Sequence, residues 1–314
     1  MCAGGHFETP MRLLVLLNPQ AHSGRAAALV APLQAACAAR AINAELVLTQ
    51  GAGDATERIA TLGTGVFDGV IAAGGDGTIF EVVNGLMQRP AAVREPLGLL
   101  PLGTGNAFAR ELGLAGSDWS AGLDLIQKRQ TRAVDVGEVT AGEERFWFLN
   151  MLGAGFVELA GRASLRFKKL GRHSYTVGAL SALAQCPSWD LRFELDGEVL
   201  QEDTLFFEVA NSRYTGTDFL MAPSASIDDG WLDLVLVRRA NRRRILRLFP
   251  TLFKGTHVQA PEVVCRRAKQ IRVRAPAGLG CTVDGEFIGA TPLTIQCRAQ
   301  ALELFAPQNS DQAA

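Results

Sequence analysis

Three glycine-rich turns follow apolar segments in the first third of the chain, and one of them carries an acidic residue at its centre. Residues 72–86 read AAGGDGTIFEVVNGL, with Asp76 among the glycines. Residues 100–112 read LPLGTGNAFAREL, and residues 18–25 read NPQAHSGR. A glycine turn between a strand and a helix lets main-chain amides approach an anion, and the helix dipole favours negative charge there. Three such turns indicate a large ligand that carries phosphates.

Asp76 restricts the kind of phosphate ligand that fits. A carboxylate would repel a bare triphosphate, but Mg²⁺ is commonly held by one or two carboxylates together with substrate phosphates. The P-loop pattern GxxxxGK[ST] and the dinucleotide pattern GxGxxG are both missing from the sequence. The turn therefore predicts the floor of a magnesium–nucleotide site. We expect Gly74, Gly75 and Gly77 to take positive φ there; the alternative is that such turns serve tight packing alone.

Hydrophobic periodicity places these turns at one edge of a sheet. Four apolar segments have the length of buried strands: residues 12–17, 44–49, 68–74 and 97–103. Each precedes a helical segment: residues 23–41, 54–62, 79–88 and a helix from Asn106. This alternation favours a doubly wound, mostly parallel α/β sheet. Thr78 and Glu81 have the spacing of a capping box for the third helix.

Period-two alternation replaces this pattern from about residue 131. The alternating segments are residues 132–139, 145–152, 190–195, 204–210, 231–237, 270–276 and 291–297. They predict an antiparallel β-sandwich or barrel, with helices near 175–185 and 242–253. No Gly/Ser tether separates the two halves, so we expect two rigid domains with a cleft between them.

Composition excludes several classes of protein. The 314 residues suit two domains, at roughly 100–200 residues each. A formal net charge of −1 argues against nucleic acid as a partner. The cysteines have no CxxC spacing and the histidines have no metal-ligand spacing. No apolar run reaches the ~18 residues that span a bilayer, and no signal-peptide pattern is present, so a cytoplasmic location is expected.

The ordered set of motifs resembles the diacylglycerol kinase and sphingosine kinase catalytic family. The set is NPxxxSG, GGDGT and PLGTGN, followed late in the chain by VDGEFIGATP and ALELFAP, and it covers residues 12–307. GGDGT alone is less specific, because NAD kinases share it. The family implies an ATP-binding α/β domain, here residues 11–132 with a returning strand at about 299–307, and a β-rich lipid-substrate domain over residues 133–298. The implied activity is the ATP- and Mg²⁺-dependent transfer of a γ-phosphoryl group to the hydroxyl of diacylglycerol or a related lipid alcohol.

The resemblance also implies roles for individual residues. Nucleotide binding is implied for Asn18, Ser23, Gly24, Arg25, Thr49, Gly74, Gly75, Asp76, Gly77, Thr78, Gly103, Thr104, Gly105, Asn106 and Glu286. Metal binding is implied for Asp76 and Asn106, and for Asp228 and Asp229 of a DDG turn that matches a structural Mg²⁺ site in similar bacterial enzymes. Many bacterial diacylglycerol kinases have Asn-Asp where this chain has Asn106-Ala107, which looks more like the sphingosine and ceramide kinase pattern.

Phosphoryl transfer also needs a base for the incoming hydroxyl and cations near the phosphates. Asp284 of the DGE motif is the first choice for the base and Asp76 the second, with Glu286 in the same cleft. The alternative for Asp284 is an ordinary hairpin turn, since Asp-Gly is a common hairpin signal. Lys168, like Arg25, supplies positive charge. Lys168 and Asp135 are assigned to the substrate, and the alternative for Asp135 is a surface charge at a strand edge.

A basic segment indicates contact with a membrane surface. Residues 238–254 read RRANRRRILRLFPTLFK, with seven basic residues, no acid and apolar residues at helical spacing. Residues 162–172 add five cations. A basic amphipathic helix suits an anionic membrane, so we expect reversible association with the inner face of the membrane. The alternative is an ordinary helix with its apolar face in the core.

Other functions remain open at this point. The chain could phosphorylate a sphingoid base or another lipid within the same family. An NAD-kinase-like enzyme is disfavoured because a signature of the form TGSTAY is missing. A non-catalytic nucleotide- or lipid-sensing module is disfavoured because Asp76 and the pair Asp284 and Glu286 are all present.

Overall fold

The structure is a computed structural model, and it describes most of the chain. The described residues are 10–24, 26–114, 116, 118–167, 177–178, 181–182, 187–216, 218–274 and 278–307. Arg25, Lys168 and most of the helix predicted over 175–185 lie outside them, as does the side chain of Ser23.

The described residues up to 130 form a parallel sheet with helices on both faces. Its strands are β1 Met11–Leu17, β2 Ile42–Leu48, β3 Gly69–Gly74 and β4 Leu97–Pro101, in the order β2–β1–β3–β4. The helices are α1 Ala21–Gly24, α2 Val30–Ala39, α3 Asp54–Ala60, α4 Asp76–Met87 and α5 Trp119–Gln127, with 3₁₀ turns at Ala26–Leu29, Ala91–Val93 and Phe108–Leu112. Alternate residues of β3 pack into two separate cores, Val70 and Ala72 in one and Ile71 and Ala73 in the other. Burial on both faces explains why the strands are almost continuously apolar.

The second half is an antiparallel sandwich. Its strands are β5 Thr131–Ala141, β6 Glu144–Phe148, β7 Met151–Gly155, β8 Trp189–Leu195, β9 Glu198–Ala210, β10 Tyr214–Thr215, β11 Phe219–Leu220, β12 Leu232–Arg238, β13 Val263–Ala268, β14 Gln270–Arg274, β15 Gly280–Val283, β16 Glu286–Ala290 and β17 Leu293–Phe305. Two α-helices, α6 Phe156–Leu165 and α7 Arg242–Leu248, and 3₁₀ turns at Phe249–Lys254 and Thr256–Gln259 are also described. The predicted fold class, an α/β domain followed by an antiparallel β-sandwich, is confirmed.

Strand β17 joins the two halves. It pairs antiparallel with β5 along most of its length, with a register shift between Arg298 and Leu302. Near its end, Leu304 pairs in parallel with Leu97 of β4. Main-chain hydrogen bonds therefore connect the α/β half to the sandwich, and 15 of the described strands form a continuous sheet across both, with β10 and β11 in a separate pair. The boundaries 11–132 with 299–307, and 133–298, stay a prediction.

The start of α4 differs from the expectation. The helix predicted over 79–88 begins at the acidic residue of the turn, and Gly75 is its N-cap. The predicted capping box is wrong, because Glu81 accepts hydrogen bonds from the amides of Gly53 at 3.0 Å and Ala55 at 3.3 Å. Glu81 thus caps the neighbouring helix α3, while the first turn of α4 is left open toward the cleft.

Candidate active site

The turns after β3 and β4 touch each other through their main chains. A Cβ on Gly103 would lie 2.5 Å from the Cα of Gly75, a distance at which the backbone must shift. Gly74, Gly75 and Gly77 do not have positive φ, so the prediction of left-handed backbone in this turn is wrong. Glycine is needed at Gly103 because the two backbones approach too closely there for a methyl group, whereas a Cβ on Gly75 would make a tight contact at 3.1 Å with the Cα of Gly103.

Asn106 braces the second of these turns from inside. Its Oδ1 accepts a hydrogen bond from the amide of Gly103 at 2.9 Å, and its Nδ2 donates to the carbonyls of Gly103 at 2.9 Å and Gly116 at 2.7 Å. The residue is buried with a φ of 51°, a left-handed conformation that asparagine tolerates. Both ends of its amide are used within the loop, an arrangement that does not favour the predicted metal role.

Asp76 reaches from the first turn to the second. Its Oδ1 accepts a hydrogen bond from the amide of Phe108 at 3.4 Å, and a Cβ on Gly105 would lie 2.9 Å from its Oδ2. Burial raises the pKa of Asp76, although the amides of Asn106, Ala107 and Phe108 favour its charged form. The Asp76 carboxylate therefore lies against the amides of residues 106–108 in the second turn. This turn is the second of those predicted to bind phosphate.

Asp284 is held by three main-chain amides of another segment. Its Oδ1 accepts hydrogen bonds from the amides of Asn150 and Met151, and its Oδ2 accepts one from Leu149, each at 3.0 Å. A carboxylate has about four lone-pair sites, so one site on Oδ2 remains. Burial raises the pKa of Asp284 to about 7, and the negative charge of Asp76 adds to the rise.

The hairpin expected at Asp284 and Gly285 is also present. Both residues have positive φ and connect β15 to β16, as Asp-Gly hairpins do. The turn and the functional assignment are therefore compatible, because the turn directs the Asp284 carboxyl toward the amides of residues 149–151.

A cavity of about 770 Å³, here called the Thr78 cavity, lies at the ends of β1, β2 and β3. It brings together five residues predicted to bind nucleotide: Asn18, Thr49, Gly77, Thr78 and Glu286. Sequence reasoning missed Gln20, Gln50, Gly51, Ala52 and Glu81, which also line it. Their position directly after predicted strands, or one turn into α4, was the available signal.

A second cavity of about 830 Å³, here called the Asp284 cavity, contains the two acidic groups. Asp76 and Asp284 line this cavity, whereas Gly77 and Glu286 line the Thr78 cavity. A Cβ on Gly77 would lie 2.9 Å from Oε1 of Glu286, so the two motifs meet at the wall between the cavities. Each motif therefore contributes residues to both sides of that wall.

A third cavity, smaller than the other two, is almost entirely apolar. It shares Val157, Glu208 and Thr215 with the Asp284 cavity, so the two adjoin. Its other walls come from α6, β9, β11, β12, α7 and the 3₁₀ turns that follow α7: Phe156, Phe206, Phe219, Met221, Val237, Ile245, Leu248, Phe249, Leu252, His257 and Val263. We call it the apolar cavity.

Asp135 does not line any of these three cavities. Its Oδ2 accepts a hydrogen bond from the amide of Gly230 at 2.6 Å, and its Oδ1 accepts one from Gln300 at 2.8 Å. The side chain is fully buried, so the alternative of a surface charge is wrong. Its bonds tie β5 to β17 and to the DDG turn, an arrangement that does not favour a substrate contact.

The two aspartates of the DDG turn are paired with arginines that do not line these cavities. Asp228 forms an ion pair with Arg132 at 2.6 Å, and Asp229 forms a short one with Arg267. Within the described ranges, no group of three or more His, Cys, Asp and Glu side chains is placed to hold a metal. Guanidinium groups already neutralise both carboxylates, which does not favour the structural metal predicted there.

Several further predicted residues do not line the three cavities: Gly24, Gly74, Gly75, Gly103, Thr104, Gly105 and Asn106. Gly24 ends α1 with a φ of 82°, and Thr104 is exposed at the tip of the second turn. The described atoms do not include the side chains of Ser23, Arg25 and Lys168, so their roles stay predictions.

Family comparisons match both halves of the chain. Residues 12–139 match the family described as "Diacylglycerol kinase catalytic domain". Residues 152–306 match the family described as "YegS C-terminal NAD kinase beta sandwich-like domain". The diacylglycerol kinase of Mycobacterium tuberculosis is 32% identical over 302 residues, which cover 95% of this chain and 96% of that protein. The diacylglycerol kinase of Bacillus subtilis is 32% identical over 246 residues, covering 78% of this chain and 79% of that one.

Solved structures agree with these matches. A diacylglycerol kinase from Bacillus anthracis superposes with a TM-score of 0.79 at 25% identity, covering 96% of this chain and 98% of that chain. An NAD kinase from Archaeoglobus fulgidus in complex with ATP superposes with a TM-score of 0.55 at 15% identity, which shows a shared fold alone.

The contact between the two turns gives a stability prediction. Gly103→Ala should lower the free energy of unfolding by about 1–3 kcal/mol, because its Cβ would meet the Gly75 backbone and overpacking costs this much. Gly51→Ala is the matched control, since a Cβ there meets nothing within 4 Å. Denaturant unfolding of both variants is the measurement. Equal stability of the two would show that the turns are not fixed by this approach.

Proposed function

This chain belongs to the diacylglycerol kinase family, and on that premise we propose that it transfers the γ-phosphoryl group of ATP to the hydroxyl of diacylglycerol or a related lipid alcohol. The observation that carries the proposal is the wall between the Thr78 cavity and the Asp284 cavity. Two motifs far apart in sequence meet there, and an apolar cavity adjoins the acidic side.

The nucleotide is assigned to the Thr78 cavity. The cavity lies at the amino terminus of α4, where free amides and the helix dipole favour phosphates. Asn18 supports this side, because its Nδ2 donates to Oγ1 of Thr78 at 3.4 Å and fixes the end of β1 against the turn. With the triphosphate bound there, the γ-phosphoryl group would point toward the wall formed by Gly77 and Glu286.

The acidic residues at the wall fit Mg²⁺. Burial raises the pKa of Asp76, so a cation beside it would offset the cost of a buried negative charge. Mg²⁺ characteristically uses one or two carboxylates together with substrate phosphates, and Asp76 is the proposed protein ligand. When bound, the ion would supply charge neutralisation at the transferring phosphoryl group.

Asp284 is the proposed general base. Its three amide bonds fix the carboxyl and leave one lone-pair site on Oδ2 for the proton of the lipid hydroxyl. Its pKa of about 7 suits proton transfer near neutral pH, where a base works best when its pKa lies close to the working pH. Asp76 is not assigned this role, because it is the proposed ligand of Mg²⁺.

The apolar cavity is the proposed site for the lipid chains. It adjoins the Asp284 cavity, so a lipid hydroxyl beside Asp284 would have its chains directed between the sandwich and α7. Ile245 and Leu248 of α7, and Leu252 of the following 3₁₀ turn, form one wall. A lipid alcohol thus satisfies both the acidic and the apolar surroundings, which a small polar acceptor would not.

The outer face of the same segment supports contact with a membrane. Leu246 and Phe253 are 47% and 46% exposed, and they lie beside the exposed Arg242, Arg243 and Arg247. Arg244, by contrast, is paired with Glu262 at 2.6 Å and is less available to lipid head groups. No helix in the described residues is long and apolar enough to cross a bilayer.

A product assay tests the proposed function. Labelled ATP is supplied with diacylglycerol, monoacylglycerol, sphingosine, ceramide or phosphatidylglycerol, with Mg²⁺ or with excess chelator. We expect a phosphorylated lipid only with Mg²⁺, since Asp76 and the phosphates are proposed to share the ion. Hydrolysis of ATP without a lipid product would contradict the lipid kinase proposal, and equal turnover under chelator would contradict the metal assignment.

The different roles proposed for Asp284 and Glu286 give a paired prediction. Asp284→Asn should lower kcat by ~10²-fold or more, the range for a positioned base, with little change in KM for ATP. Glu286→Gln should instead raise KM for ATP, because Glu286 lines the Thr78 cavity. Steady-state kinetics of both variants on one lipid distinguish the roles. The assignment is reversed if Asp284→Asn loses ATP affinity while Glu286→Gln loses kcat.

Membrane contact gives a separate prediction. Changing Arg242, Arg243 and Arg247 together to Gln should weaken binding to anionic vesicles by up to ~3 kcal/mol, at about 1 kcal/mol per cation near the surface. Turnover of a short-chain lipid in solution should be unaffected, because these side chains point away from the cavities.

A control with the same change in charge replaces Arg145, Arg192 and Arg274, which are exposed on β6, β8 and β14. Vesicle sedimentation at low and high salt is the measurement, since exposed charges are screened within about 8–10 Å. If the two triple variants lose vesicle binding equally, the effect is general charge and α7 is not the docking surface.

A further inference from the structure

Glu208 is a buried carboxyl at the junction of two cavities. It is 1% exposed, and its Oε2 has no hydrogen-bond partner among the described residues. It lines both the Asp284 cavity and the apolar cavity. In strand β9 it pairs with Gly153 of β7 on one side and Val235 of β12 on the other. Neither neighbour offers a side-chain polar group, so Oε2 lacks the hydrogen-bond partner that a buried acid needs.

No charge near Glu208 explains its burial. Within the described parts of the chain, the linings of the two cavities contain no lysine or arginine, and their other titratable groups are Asp76, Asp284 and His257. His257 places Nε2 3.0 Å from the carbonyl of Met221, and burial lowers its pKa, so it stays neutral. Burial alone raises the pKa of Glu208 to about 8. At neutral pH the side chain is therefore an uncharged acid with an O–H to donate.

The position of Glu208 matches one part of an acylated lipid. If the hydroxyl lies at Asp284 and the chains lie in the apolar cavity, the atoms between them pass the shared wall. In diacylglycerol those atoms are the ester carbonyls, which are acceptors without a donor. We propose that Glu208 donates a hydrogen bond to an acyl carbonyl, so that the site selects lipid alcohols acylated beside the reacting hydroxyl. This inference rests on the proposed function and defines its substrate class.

A cationic lipid would need Glu208 to be ionised. The ammonium group of a sphingoid base would pair with an ionised carboxylate, but the lining of the apolar cavity gives that charge no other support. A dialkyl ether lipid has neither the carbonyl nor the charge. These three lipid classes therefore distinguish what Glu208 recognises.

The test is direct binding, which does not require turnover. The Kd values of dioctanoylglycerol and of its dioctyl ether analogue are measured by calorimetry for wild type, Glu208→Leu and Glu208→Gln. Glu208→Leu should weaken the ester by about tenfold more than the ether, since a lost neutral hydrogen bond costs about that much. The Gln amide can still donate, so Glu208→Gln should bind the ester more tightly than Glu208→Leu does. Glu198→Gln, an exposed residue of the same strand, is the control.

The pH dependence separates recognition from a merely structural role. Above about pH 8 the acid ionises, so the wild-type Kd for the ester should rise by about tenfold per pH unit. The Glu208→Gln variant should lack this rise, and binding of the ether should lack it in both proteins.

The same group gives a stability readout. Its pKa is raised from the ordinary 4.5 to about 8, so the folded state holds a proton that the unfolded state loses. Stability should therefore fall as pH rises between those values, and Glu208→Gln should gain in melting temperature relative to wild type across that window. That result would show that Glu208→Gln folds and that the wild-type acid is buried and uncharged.

The possible outcomes are distinct. Equal losses for ester and ether in Glu208→Leu, or a Glu208→Gln profile with the wild-type pH dependence, would overturn the carbonyl contact. Selective loss of sphingosine binding in Glu208→Gln would overturn it in favour of an amine. If the lipids bind as proposed but none is phosphorylated in the product assay, the proposed function fails while the Glu208 contact stands.

Discussion

The close approach of Gly75 and Gly103 is the constraint on which the rest of the cleft depends. It brings the turns after β3 and β4 together so tightly that a Cβ on Gly103 would lie 2.5 Å from the Gly75 backbone. At this separation the carboxylate of Asp76 can span from one turn to the amides of the other. The glycines therefore allow the two turns to pack closely. Asp76 connects these turns through contacts within the protein itself.

The sandwich places the DGE motif beside these two turns. β17 joins the sandwich to β4 by main-chain pairing, and β15 carries Asp284 against the amides of residues 149–151. Asp284 and Glu286 of the DGE motif line different cavities, and so do the neighbouring residues Asp76 and Gly77. This arrangement fits a transfer at the boundary of the two cavities, where the γ-phosphoryl group and the lipid hydroxyl would meet directly, with no protein group between them.

The features that could be predicted from the sequence are those set by hydrophobic periodicity and by local motifs. Apolar strands and the switch to period two identified both halves, and the motifs identified five residues of the Thr78 cavity. Side-chain partners could not be predicted, because they depend on tertiary contacts: Glu81 caps a different helix, Asn106 bonds within its own loop, and Asp135 is buried between strands. Glu208 had a readable signal, an acid within the apolar segment TLFFEVA, but its place between two cavities required the fold.

The most direct test of the account is a crystal structure with Mg²⁺, a non-hydrolysable ATP analogue and a short-chain diacylglycerol. The account predicts the triphosphate in the Thr78 cavity, with its γ-phosphate at the wall beside Gly77. It also predicts the lipid hydroxyl within hydrogen-bond distance of Oδ2 of Asp284 and the chains in the apolar cavity. A nucleotide in the Asp284 cavity, or a lipid bound elsewhere with Asp284 facing only protein, would contradict the proposed transfer across this wall.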